Sequence, residues 1–139
     1  MGLSPSIIKI NYEDMQMIVQ KPEIYLLLNT LPKHEQHCLV FNTLHADDEE
    51  IVINKYLKQN KNIKIVLYGR NCNDESVSKK CQQLTSLGFS TIYVYNGGLF
   101  EWLLLQDVYG KDLFPTTSSE FDFFKFKSSA MLSARLLQY

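Results

Sequence analysis

The sequence has no excess of basic charge: fourteen Lys and Arg face fifteen Asp and Glu, for a net charge of −1. Nucleic-acid binding usually draws on a basic excess, so this composition argues against a nucleic-acid partner. Long apolar runs are missing as well. The longest candidates, residues 24–28 and 102–105, fall far short of the roughly 18 residues of a membrane span. The first ten residues lack the apolar core of a secretory signal, so none is expected. Cysteine is scarce and odd in number. Cys38, Cys72 and Cys81 show no paired metal-ligand spacing, which fits a reduced, intracellular and cytoplasmic setting better than a disulfide framework. There is no internal repeat, no Gly-x-x-x-x-Gly-Lys phosphate loop and no spacing that suggests a Ser/His/Asp arrangement. No cofactor is implied.

What is present is ordinary globular composition: 139 residues, 45 % apolar and 21 % charged. That is one domain's length, with enough chain to bury a core. Residues 1–6 form a short Ser/Pro leader. It also reads Met-Gly-x-x-x-Ser, which places Gly2 and Ser6 where an N-myristoylation signal needs them. A single myristoyl chain gives marginal membrane binding, and the short pattern is more economically read as a chance match. Residues 7–10 are extended and apolar. Residues 12–19 have helical spacing, with Met15, Ile18 and Val19 on one face and Asn11 as N-cap. Pro22 ends that helix.

Residues 24–28 form a continuous apolar run of strand length, as suits a strand buried on both faces of a parallel sheet. Residues 38–41 read as a short strand or a buried loop. A helix is expected over residues 47–58, with Ile51, Val52, Lys55 and Leu57 as its stripe and Asp47 and Asp48 at its amino end. Residues 63–68 are the second clear strand, and 91–95 the third, dense in β-branched and aromatic side chains. Between them a helix over 75–87 carries Val77, Cys81, Leu84 and Leu87, with Gly88 as its C′ residue. Tyr93 and Tyr95 alternate with Ile92 and Val94 and are read as packing under helices. A last helix begins at 99–105 and carries Trp102 into the core. Alternating strands and helices predict an α/β fold with a mainly parallel central sheet and helices on both faces. The domain is drawn at 7–115, followed by an aromatic and basic extension at 116–139. In that extension Phe121, Phe123, Phe124 and Phe126 either pack back or offer a partner surface; packing is expected, because four naked Phe would be a solubility hazard. A helix is expected near 129–137.

In an open α/β sheet, ligands gather at the carboxyl ends of the strands, so the loop after residues 63–68 is the place to look. The order Ile65-Val-Leu-Tyr68, a polar loop, Ser76…Leu84…Leu87-Gly-Phe89, Ile92-Tyr-Val94, Gly97-Gly98 and Trp102 resembles the carboxyl half of the rhodanese-like domain family. Residues 63–102 carry the resemblance well and residues 10–50 weakly, where Glu35 falls near a glutamate common in that family. The resemblance implies a nucleophilic cysteine just after the Tyr-ended strand, lying in a cradle of backbone N–H groups at a helix amino end. That setting favours a thiolate and suits sulfur carriage as a persulfide. The matching position here is Gly69, which has no side chain. Where the family closes the cradle with an arginine, this chain has Asp74 or Glu75, so the charge is reversed. Asn29 and Leu31 replace the Asp and Arg that often follow the family's second strand.

The candidate site is therefore the loop Gly69, Arg70, Asn71, Cys72, Asn73, Asp74, Glu75 and Ser76. Two functions are carried forward. The first is a catalytically inactive module that binds or regulates another protein through this loop. There Asn73, Asp74 and Glu75 cap the next helix and fill the vacant anion site with the protein's own carboxylate. The alternative is a divergent sulfurtransferase in which Cys72, three residues past Gly69, forms the persulfide. A thiolate there would gain from Arg70 and the helix dipole and lose from Asp74 and Glu75. His34, His37 and Cys38 would share one side of a helix and could hold zinc, but a structural zinc wants four ligands, and a polar loop is the better reading. No metal is expected, and the sequence does not indicate an oligomeric state.

Overall fold

The structure, a computed structural model, describes residues 6–132. Gly2 and most of the helix expected near 129–137 lie outside the described residues. Four strands, β1 (Ser6–Ile10), β2 (Tyr25–Asn29), β3 (Lys64–Tyr68) and β4 (Thr91–Tyr95), form one sheet in the order β1-β4-β3-β2. All pairings are parallel, with Leu26 opposite Ile65, Ile65 opposite Ile92, and Ile7 also opposite Ile92. Parallel neighbours require crossovers. These run through α1 (Tyr12–Val19), α2 (Ala46–Gln59) and α3 (Glu75–Ser86), and α4 (Gly98–Tyr109) follows β4.

The two faces of the sheet follow from the period-2 alternation of strand side chains. On one face Leu27, Val66, Tyr68 and Tyr95 pack with Met15 and Ile18 of α1 and with Leu99, Trp102 and Leu103 of α4. On the other, Leu28, Ile65, Leu67, Ile92 and Val94 pack with Ile53 of α2 and with Cys81 and Leu84 of α3. The sheet is thus covered by helices on both sides, as its apolar runs require. Trp102 is fully buried and meets Tyr95 edge-on at 6.1 Å and Phe114 at 5.0 Å. Its indole Nε1 donates to the Pro115 carbonyl at 3.1 Å.

Local chemistry sets the element ends. Asn11 accepts from the Asp14 amide while Asp14 accepts from the Asn11 amide, a reciprocal capping box. Gly88, at φ +106°, ends α3 in a conformation that costs a side chain strain. The stripe expected on α2 is displaced. Ile51 is 71 % exposed, and Ile53 with Tyr56 and Leu57 faces the sheet instead. The i, i+3, i+4 spacing of 53, 56 and 57 makes a contiguous face on a 3.6-residue helix, which 51, 52, 55 and 57 do not. Residues 38–41 form no full strand. Val40 makes a single antiparallel bridge to Thr116, and the Val40 amide donates to the buried Tyr68 hydroxyl at 3.1 Å.

Candidate functional site

The candidate loop leaves β3 at the carboxyl edge of the sheet and is held from both sides. Toward α4, the Gly69 and Arg70 carbonyls each accept at 2.9 Å, from the Leu99 and Phe100 amides. These amides have no partner within their own helix, so the loop caps α4. The approach is close enough that a Cβ on Gly98 would lie 2.8 Å from both the Asn71 nitrogen and the Gly69 oxygen. Gly98 also sits at φ +69°, which gives this glycine its physical reason.

Toward α3 the anchor is Asp74, the N-cap residue. Its Oδ1 accepts from the Ser76 amide at 3.0 Å and the Ser76 hydroxyl at 2.6 Å. Its Oδ2 accepts from the Arg70 amide at 2.8 Å. Burial pushes the Asp74 carboxyl up, but these hydrogen bonds and the nearby Arg70 charge outweigh it, so the group is held below the usual carboxylate range. The same carboxylate fills the space beside Gly69. A Cβ built there would lie 2.5 Å from Asp74 Oδ2, 2.7 Å from Val77 Cγ2 and 2.9 Å from Thr30 Oγ1. Further loop amides are used internally: Asn73 donates to its neighbour Asn71 Oδ1 at 2.9 Å, and Asp74 to the Asn71 carbonyl at 3.3 Å. Ser76 ties the loop to β2's end through a 2.7 Å hydrogen bond to Thr30 Oγ1.

Cys72 is exposed, whereas Cys38 and Cys81 are buried. Cys72 lines a cleft together with Asn71, Asp74 and Cys81 and with Ile7 and Lys9 of β1. Burial raises the Cys38 and Cys81 thiols. Cys38 donates to the Ser118 carbonyl at 3.2 Å, and His37 pairs with Glu120. Among the described residues no three metal-ligating side chains converge.

Arg70 turns away from the space beside Gly69. Its Nη1 lies 2.7 and 2.6 Å from the two Glu35 carboxylate oxygens, and its Nη2 donates to the Lys125 carbonyl at 2.8 Å. The sequence singled out both Arg70 and Glu35 without pairing them. It also gave no sign that the extension reaches the loop. Asn71 Nδ2 donates to the Phe126 carbonyl at 2.8 Å, and Phe126 is fully buried. Of the four extension phenylalanines, Phe126 packs in the core and Phe123 against it, while Phe121 is 91 % and Phe124 58 % exposed. The expectation that all four pack back therefore holds for Phe126 and Phe123, holds in part for Phe124, which meets Phe100 at 6.0 Å, and fails for Phe121.

The family model described as a rhodanese-like domain matches residues 37–105. That span contains the strand–loop–helix–Gly-Gly–Trp order from which the resemblance was read. No curated protein matches the sequence. Among solved structures, the rhodanese-like domain of the Anabaena sp. Alr3790 protein is 18 % identical, with a TM-score of 0.57 over 88 % of this chain and 84 % of that one. The BH2092 protein from Bacillus halodurans is 15 % identical, with a TM-score of 0.56 over 70 % of this chain and 72 % of that one. An uncharacterized protein from Saccharomyces cerevisiae is 16 % identical, with a TM-score of 0.55 over 71 % of this chain and 92 % of that one. At these identities the structural likeness speaks for the fold. Taken with the family model, it identifies a divergent rhodanese-like domain in this chain, matched over residues 37–105.

Proposed function

We propose that this rhodanese-like domain carries no sulfurtransferase activity and binds another protein through the loop 69–76. The observation that carries the reading is Asp74 Oδ2, 2.5 Å from where a side chain on Gly69 would begin. A thiolate in the family's position needs a side chain there and free amide donors around it. Here the side chain is missing, and Asp74 takes the Arg70 and Ser76 amides. An anionic substrate would meet a carboxylate held in its ionised form. The cation nearest in sequence, Arg70, is already paired with Glu35. With chemistry disfavoured, the loop's remaining asset is its surface, where Cys72, Asn73 and Glu75 stand exposed.

The test is a thiosulfate:cyanide sulfurtransferase assay on the wild type and Cys72→Ser, read beside mass spectrometry of the intact chain. No turnover and no sulfur adduct are expected from folded protein. Turnover, or a persulfide mass increase that disappears in Cys72→Ser, would establish the divergent enzyme instead.

A further inference from the structure

The loop face is not bare. Residues 120–127 cross it, with a 3-10 turn over Phe123–Phe126. Two main-chain carbonyls, of Lys125 and Phe126, accept from the Arg70 guanidinium and the Asn71 side-chain amide. The Phe126 ring is buried in the core cluster, with the Arg70 guanidinium 5.6 Å and the Lys125 ammonium 5.2 Å from its centroid. Phe123 and Phe124 lie against Phe100 of α4 at 6.4 and 6.0 Å. The amino end of the segment is clasped by Glu120, which pairs with His37 and, at 3.0 Å, with Lys125. Main-chain carbonyls carry no side-chain identity, so any peptide that takes up the short 3-10 turn of Phe123–Phe126 presents them. The aromatic side chain, buried and within reach of the Arg70 guanidinium, is what selects. Most of the segment has little other burial: Phe121, Asp122, Phe124, Lys125 and Lys127 are exposed. Segments with few buried contacts open at lower free energy than sheet cores.

We propose that residues 120–127 are a displaceable strap bound in cis as a pseudoligand. The face formed by Arg70, Asn71 and Phe100 then takes, in trans, a peptide of the strap's chemistry and 3-10 turn, a phenylalanine flanked by lysines. The proposal rests on the binding-module reading above and names the partner class for that loop. The strap and the partner compete, so affinity in trans is reduced by the fraction of molecules whose strap is open.

The probe is a fluorescein-labelled peptide with the sequence of residues 119–129, titrated into the full chain and read by anisotropy. Wild type binds it weakly. Phe126→Ala, which removes the cis anchor, binds about tenfold more tightly or better, as expected when the competing state is depopulated. A peptide with alanine in place of its Phe126 loses binding to both. Equal affinity of wild type and folded Phe126→Ala, or retention of binding by the alanine peptide, overturns the proposal. Because Phe126 reaches the core, native-state hydrogen exchange on the wild type provides a second readout that needs no variant. The Lys125 and Lys127 amides are expected to exchange about tenfold or more faster than those of β3, as a locally opening unit does. Exchange at the rate of β3 would make the segment part of the core and overturn the proposal. A sulfur adduct on Cys72 would defeat the binding-module reading without moving either readout. An open strap that fails to bind the peptide would defeat this inference alone.

Discussion

Replacing Asp74 by alanine tests the central feature of the site, a carboxylate that both caps α3 and occupies the space beside Gly69. The substitution removes the acceptor for the Ser76 amide at 3.0 Å, the Ser76 hydroxyl at 2.6 Å and the Arg70 amide at 2.8 Å. Loss of an N-cap costs about 1 kcal/mol. A part-buried amide deprived of a charged acceptor adds about 1–2 kcal/mol, toward the low end because the site is half open to solvent. The Ser76 hydroxyl keeps Thr30 Oγ1 as partner and adds little. The sum is about 2–3 kcal/mol, or roughly 6–12 °C in Tm for a domain of this length. The cost depends on pH. Asp74 is held below its ordinary value of 3.8. Its ionisation therefore contributes stability that is complete above the unfolded value and is lost as pH falls through the lower folded value. Urea unfolding of wild type and Asp74→Ala near neutral pH should show the full gap, and the gap should narrow below about pH 4. A cost under about 0.5 kcal/mol at neutral pH, within the range of an ordinary surface substitution, would refute the assignment of Asp74 as anchor. A gap that does not change with pH would refute the charge-assisted part of it.

Two further outcomes follow from the same geometry. Gly69→Ala should destabilise by about 1–3 kcal/mol, because its Cβ meets Asp74, Val77 and Thr30 at 2.5–2.9 Å and overpacking on that scale forces neighbours to shift; thermal unfolding measures it, and an unchanged Tm would mean the space is larger than the structure shows. Native thiol titration with an aromatic disulfide should find one fast thiol, Cys72, and two that react only on unfolding. Cys38 and Cys81 are 0 % and 6 % exposed, and burial disfavours their thiolates.

The elements were legible because their determinants are local. The Asn11 cap, the Gly88 terminator and the residues 91–95 read as a strand all hold their places in the structure. The alternation that sends Ile65 and Leu67 to one face and Val66 and Tyr68 to the other is fixed by the geometry of a strand. The face of α2 was less legible, since Ile51 and Ile53 compete for the core and only the neighbouring sheet decides between them. Likewise the sequence placed two adjacent acids, Asp74 and Glu75, at the amino end of α3.

What the sequence by itself determined, then, is the fold class and the glycine at position 69, with no side chain at the end of the Tyr68 strand. Both are written in residue types and their order along the chain. Tertiary structure alone decided which of the two adjacent acids takes the loop amides: Asp74 accepts from Arg70 and Ser76, and Glu75 stays exposed. It alone paired Arg70 with Glu35, 35 residues away, and brought Phe126 across 55 residues onto Asn71. Such contacts depend on how the crossovers bring strand ends together, and no spacing along the chain encodes that distance.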